Sequence, residues 1–100
     1  DPHRVAITAI HGSMPIGFVV VSTGAFYVVP MGRIEALYVS PQFRRRGFAR
    51  ALMDQATSWA KFSGARFVRL DVTPSNGPAL ALYESYGFTV TRYEMDASVA

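Results

Sequence analysis

The run Arg33-Ile34-Glu35-Ala36-Leu37-Tyr38-Val39-Ser40-Pro41, followed two residues later by Arg44-Arg45-Arg46-Gly47-Phe48-Ala49, decides how this chain is read. Its first part alternates Ile34, Ala36 and Tyr38 on one face with Glu35, Leu37 and Val39 on the other, the period of a β-strand, after breakers at Pro30 and Gly32. Ser40-Pro41 ends that strand. From about Arg46 the apolar residues Phe48, Leu52, Ala56 and Trp59 recur at helical spacing up to Phe62, where Ser63-Gly64 supplies a stop and Gly64 suits a left-handed C-terminal cap. Residues 66–72 alternate again, with Phe67, Arg69 and Asp71 set against Val68, Leu70 and Val72. Strand, helix and strand in that order imply parallel pairing through a right-handed crossover. Both strands then finish, at Val39 and Val72, on one edge of the sheet, and the helices that follow open there with free N–H groups. Ligands are expected at that edge.

Working outward, Val5, Ile7 and Ala9 alternate in a strand over residues 4–10, His11-Gly12-Ser13 turns the chain, and residues 16–21 form a second, more buried strand. With residues 33–39 these make an antiparallel meander. Downstream, residues 74–78 break the chain. Pro78 suits a first helical position, and Ala79, Leu82, Tyr83 and Tyr86 share one helical face up to Gly87. Residues 88–95 read as a final strand. The order is β-β-β-α-β-α-β, an α+β fold with a mixed, mostly antiparallel sheet around a central strand-helix-strand unit.

With 100 residues, half of them hydrophobic, the chain holds one domain, residues 1–100, and one core. No cysteine is present, so disulfides and thiolate metal sites are excluded and a cytoplasmic setting fits best. His3 and His11 fall at a terminus and a turn, so no metal is expected. No apolar run approaches the ~20 residues that cross a bilayer. The net charge of +3 favours an anionic partner, and Arg44, Arg45, Arg46 and Arg50 concentrate four of the ten basic residues in one window. A basic loop containing Gly47 at a helix start is a natural phosphate site: amides and macrodipole attract the anion and guanidiniums add charge-assisted bonds.

That loop, Arg44-x-x-Gly47-x-Ala49, resembles the Gln/Arg-x-x-Gly-x-Gly/Ala loop of the GNAT acetyltransferases, with Leu37-Tyr38-Val39-Ser40-Pro41 in register before it. A second segment, Asn76-x-x-Ala79-x-x-x-Tyr83-x-x-x-Gly87-Phe88, is similar to the same family's Asn, Ala, Tyr and Gly-Phe signature. The resemblance covers roughly residues 5–95. It implies the acyl-CoA N-acyltransferase fold, acetyl-CoA as cosubstrate without a metal, and a small-molecule or peptide amine as acceptor. It also implies a pyrophosphate on the amides of Arg45, Arg46, Gly47, Phe48, Ala49 and Arg50, and a pantetheine arm along Leu37, Tyr38 and Val39. The Val39 amide then faces the thioester carbonyl, Ala79 lies beside the cofactor, and Asn76 positions the pantetheine or Tyr83. Tyr83 becomes the acid for the departing thiolate. An amine of pKa ~10 must lose a proton before attack, and Glu35, four residues ahead of Val39 and read as sharing a face with Leu37, is the candidate base.

Plainer readings stand beside each of these. Arg44, Arg45 and Arg46 suit a solvated turn, Tyr83 a core position, Asn76 the turn before Pro78, and Glu35 an edge pair with Arg33 or Arg69. At the level of function the alternatives are a catalytically idle acyl-CoA sensor and, ranked last, a basic nucleic-acid module. The family's usual N-terminal strand and helices are not in this sequence, so the expectation is either a symmetry partner that supplies the missing cover or an N-terminally truncated domain. Its open sheet edge predicts a homodimer.

Overall fold

The computed structural model describes residues 2–99. Four strands form one sheet in the order β1 (Arg4–His11), β2 (Met14–Phe26), β3 (Val29–Val39) and β4 (Phe67–Arg69), with helices α1 (Phe48–Phe62) and α2 (Gly77–Ser85). The first three strands pair antiparallel, and β4 joins β3 in parallel. The meander and the strand-helix-strand unit read from the sequence are both present.

Three features depart from the reading by periodicity. First, β2 and β3 run several residues past the expected bounds and meet in a hairpin whose turn is Tyr27-Val28, with Tyr27 at φ 56°. No glycine marks that turn. Pro30 and Gly32 lie inside β3, where Pro30 accepts the Arg66 amide at 2.9 Å. Second, β3 contains a bulge. Val21 pairs with Ile34 while Val20 pairs with Ala36, so Glu35 has no partner and the alternation is rephased. Ile34, Leu37 and Val39 then face the core, and Glu35 reaches Arg4 on the opposite face. The expectation that Glu35 and Leu37 share a face is thereby corrected. Third, residues 88–95 form no strand among the described residues. β4 extends for only three residues, and a cleft of about 830 Å³ lies between it and the returning chain at Gly87, Phe88, Thr89 and Thr91.

The core lies between the sheet and α1. Val19, Val21, Ile34 and Val39 from the strands meet Leu52, Met53, Ala56 and Ala60 from the helix. The spacing of those helical residues places them on one stripe. The approach is close because Gly32 faces Ala60: a Cβ built on Gly32 would lie 2.7 Å from the Ala60 Cβ. Gly32→Ala should therefore lever α1 off β3 and cost about 1–3 kcal/mol, as overpacking typically does. Thermal unfolding should show the fall in Tm, and Ala60→Gly in the same chain should recover part of it.

Candidate functional site

β3 and β4 are hydrogen-bonded only over Met31↔Phe67, Gly32↔Val68 and Arg33↔Arg69. β3 continues six residues beyond that point, so the sheet opens between Val39 and the end of β4. Ser40 donates its N–H to the Ile16 carbonyl at 2.7 Å. By the alternation of a strand, Val39 turns its own N–H and C=O away from β2 into the opening. The carbonyl there is already taken, since Arg44 Nε donates to Val39 O at 2.8 Å, with its guanidinium 5.6 Å from the Tyr38 ring centre. What remains at the strand end is a single fixed donor, the Val39 amide.

Next to it, a short 3-10 turn at Pro41–Phe43 leads into the basic loop. Arg45 has φ 61° and Gly47 φ 87°, whereas Arg46 between them is not left-handed. Such alternation of handedness turns successive N–H groups toward one point and forms a concave anion seat. The backbone bonds confirm that these donors are unused: Ala51 is the first residue of the helix to donate, to Gly47 O at 3.0 Å, and among the described residues the amides of 45–50 have no acceptor within the chain. No side chain caps α1 and its first turn carries no acid. The positive end of the macrodipole is left open to an incoming anion. Two arginines of the loop are steered by rings, Arg46 lying 5.4 Å from Phe43 and Arg50 5.2 Å from Tyr86.

Asn76 serves first as the N-cap of α2, its Oδ1 accepting from the Ala79 amide at 3.2 Å. This leaves its side-chain NH2 uncommitted. Tyr83 is half-buried at the rim of the core that contains Val39, Leu37, Phe48 and Ala49, and burial raises its pKa above the ordinary 10.0. The residues after it are explained by helix termination. Gly87, at φ 96°, donates to Glu84 O, and Phe88 donates to Tyr83 O with the two rings 6.0 Å apart. This is a Schellman cap, so the spacing from Tyr83 to Gly87-Phe88 is what fixes that tyrosine's backbone. Glu35 pairs with Arg4 at 3.2 Å, rather than with Arg33 or Arg69, on the sheet face away from α1. Sequence periodicity had given no role to Phe43 and Tyr86, which hold Arg46 and Arg50. A ring within reach of a guanidinium is a tertiary fact and leaves no spacing signal.

The sequence and the fold match a known family. The profile of the acetyltransferase (GNAT) family covers residues 1–88. The chain belongs to the GNAT family. It is similar to an aminoglycoside N(6')-acetyltransferase type 1 of Salmonella typhimurium, with 29% identity over 94 residues, 89% of this chain and 65% of that protein. It therefore spans just under two thirds of that relative's length. It is also 39% identical over 62 residues, 61% of this chain, to 36% of the catalytic subunit NAA20 of the N-terminal acetyltransferase B complex of Arabidopsis thaliana. Among solved structures, AAC(6')-Iy bound to the bisubstrate analogue CoA-S-monomethyl-acetylneamine shares the GNAT fold with a TM-score of 0.88 at 26% identity, covering 98% of this chain and 70% of that one. A putative acetyltransferase from Pyrococcus furiosus gives 0.89 at 26% identity, over 96% and 66% of the two chains. In this GNAT sheet the departures described above fall at the hairpin, the bulge and the last segment, away from the anion seat.

Proposed function

We propose that this chain carries the catalytic core of an N-acetyltransferase that moves the acetyl group of acetyl-CoA to a primary amine by direct attack within a ternary complex. The observation that carries the reading is the alternating left- and right-handed loop at 45–47, with its unused amides, next to the free Val39 N–H. The amides of 45–50 hold the pyrophosphate, and the pantetheine arm lies along Leu37, Tyr38 and Val39 where β4 has peeled away. Asn76 and Ala79 border it from the start of α2. The thioester oxygen meets the Val39 N–H, a donor already oriented for the negative charge that develops on attack. Arg44 engages one lone pair of the Val39 carbonyl, and its positive charge lessens the repulsion between that carbonyl and the thioester oxygen.

The amine enters from the face that carries Glu35. Arg4 holds the Glu35 carboxylate in an exposed pair of small net worth, easily yielded to water or substrate. Glu35, directly or through one water, takes the amine's proton. The nitrogen then bonds the acetyl carbon, and as the tetrahedral adduct collapses the C–S bond breaks, the second proton on nitrogen passes to solvent, and the thiolate takes a proton from Tyr83, which solvent restores. The membership in GNAT and the names of the aminoglycoside and protein N-terminal relatives support an amine acceptor. The idle acyl-CoA sensor would use the same seat and is separated from the enzyme by turnover, whereas the nucleic-acid module has no comparable observation behind it. The edges left open at β1 and β4 favour a homodimer, which sedimentation at micromolar concentration should detect, and the lack of cysteine suits the cytoplasm.

The test is turnover. The protein is mixed with acetyl-CoA and a panel of aminoglycosides, peptides and simple amines while thiol release is followed. Release with at least one amine, reduced about 10²-fold in kcat by Glu35→Gln, is expected for a general base. Tight CoA binding with no release from any amine would support the sensor instead.

A further inference from the structure

On the sheet face away from α1, Arg4 on β1, Ser22 on β2, Arg33 on β3 and Arg69 on β4 stand directly opposite one another in register and form one row across the whole sheet. Residues opposite each other on neighbouring strands point to the same side, so Arg33 and Arg69 are like charges placed side by side, an arrangement that a sheet disfavours. A pocket of about 240 Å³ opens over this row, lined in part by Ser22, Thr23, Arg33, Arg69 and Arg92. Counter-charge is short. Arg4 has Glu35 at 3.2 Å and Arg33 has Asp71 at 3.1 Å, while Arg69 and Arg92 have no acidic partner among the described residues. Four guanidiniums against two carboxylates leave two positive charges.

Arg69 is also held still. Its guanidinium lies 4.5 Å from the ring centre of Phe26 and 5.2 Å from that of Phe67. A guanidinium fixed by two rings presents its donor fork without the usual loss of side-chain freedom, which is how arginine recognises planar or tetrahedral oxyanions. Ser22, opposite Arg33 on the same face, adds a hydroxyl beside it. The pocket is distinct from the cofactor seat: Arg33 stands six residues before Val39 on β3, ~20 Å at the rise of a strand, and on the other face of the sheet.

We infer that this pocket binds an oxyanion carried by the acceptor itself, so that the substrate is an amine bearing a phosphate or carboxylate group. The spacing sets the length of that molecule. The amine must reach the thioester at Val39, ~20 Å along β3 from the Arg33 backbone with Glu35 between them, so amine and anion are carried at the two ends of one extended acceptor. The same charges repel a polycation such as an aminoglycoside. The inference rests on the acetyltransferase reading for its acceptor, but the pocket can be tested without turnover.

Two arms make the test. In the first, inorganic phosphate is titrated into protein already saturated with CoA, so that the α1 seat is filled, while arginine Nε–Hε and backbone signals are followed by NMR. Saturable shifts centred on Arg33, Arg69, Ser22 and Thr23, lost in Arg69→Met and weakened in Arg92→Met, are expected. The second variant lies in an irregular segment and guards against misfolding of the first. Shifts confined to residues 45–50, or none, would overturn the inference. In the second arm, thiol release is compared for 8-aminooctyl phosphate and 8-amino-1-octanol. At least a tenfold preference in kcat/KM for the phosphate is expected, shrinking in both variants, and equal rates or a preference for an aminoglycoside would overturn it. Failure of the first arm sinks this inference alone, whereas absence of thiol release from every amine sinks the acetyltransferase reading beneath it.

Discussion

Gly47→Val is expected to cut CoA affinity at least tenfold, the largest single binding effect in the molecule. Gly47 sits at φ 87°, a conformation that costs an L-residue about 1–2 kcal/mol and is worse for a β-branched one. Steric collision is not the cause, because a Cβ at Gly47 meets nothing within 4 Å. The cost is conformational, and the chain relieves it by returning to negative φ, which rotates the neighbouring amides out of their common focus. Loss of the focus loses the anion, because the seat is built from those backbone N–H donors. Isothermal titration with CoA reads the effect. Helical content and Tm should change far less, because Leu52, Met53, Ala56 and Ala60 hold α1 from its buried face. Unchanged affinity in a folded Gly47→Val protein would remove the pyrophosphate from this loop.

Tyr83→Phe should lower kcat by about 10²-fold, the usual range for a lost general acid, with little change in the KM for acetyl-CoA. The substitution is clean. It keeps the ring against Phe88, keeps the backbone bond from Phe88 N–H to Tyr83 O, and deletes only the hydroxyl. Burial raises the Tyr83 pKa, so the phenol stays protonated through neutral pH and any basic limb of the rate profile due to it lies above the ordinary 10.0. The sign for stability is the same: the raised folded pKa leaves stability level below the unfolded value and erodes it as pH climbs through the folded one. A variant with undiminished turnover would return Tyr83 to the core as a packing residue.

Glu35 shows why sites are harder to read than folds. Its position four residues before Val39 was legible, but its direction was not, because the bulge between Val20 and Val21 shifts the alternation and no residue type announces it. The partner proved to be Arg4, on the far strand of the meander, at a sequence distance no local pattern spans. Residues 88–95 carry strand-like composition yet form no strand here, since a strand needs a ladder partner and β4 presents only three residues.

The sequence by itself determined the meander, the strand-helix-strand unit, both helix stops at Gly64 and Gly87, and the basic loop at a helix mouth, because each is announced by local periodicity and by turn or stop residues. Only the tertiary structure decided that Glu35 reaches Arg4, that Tyr86 meets Arg50, and that Arg33 and Arg69 meet over one pocket. Those outcomes depend on register between strands and on rings and guanidiniums brought together across the core, and local periodicity carries no information about either.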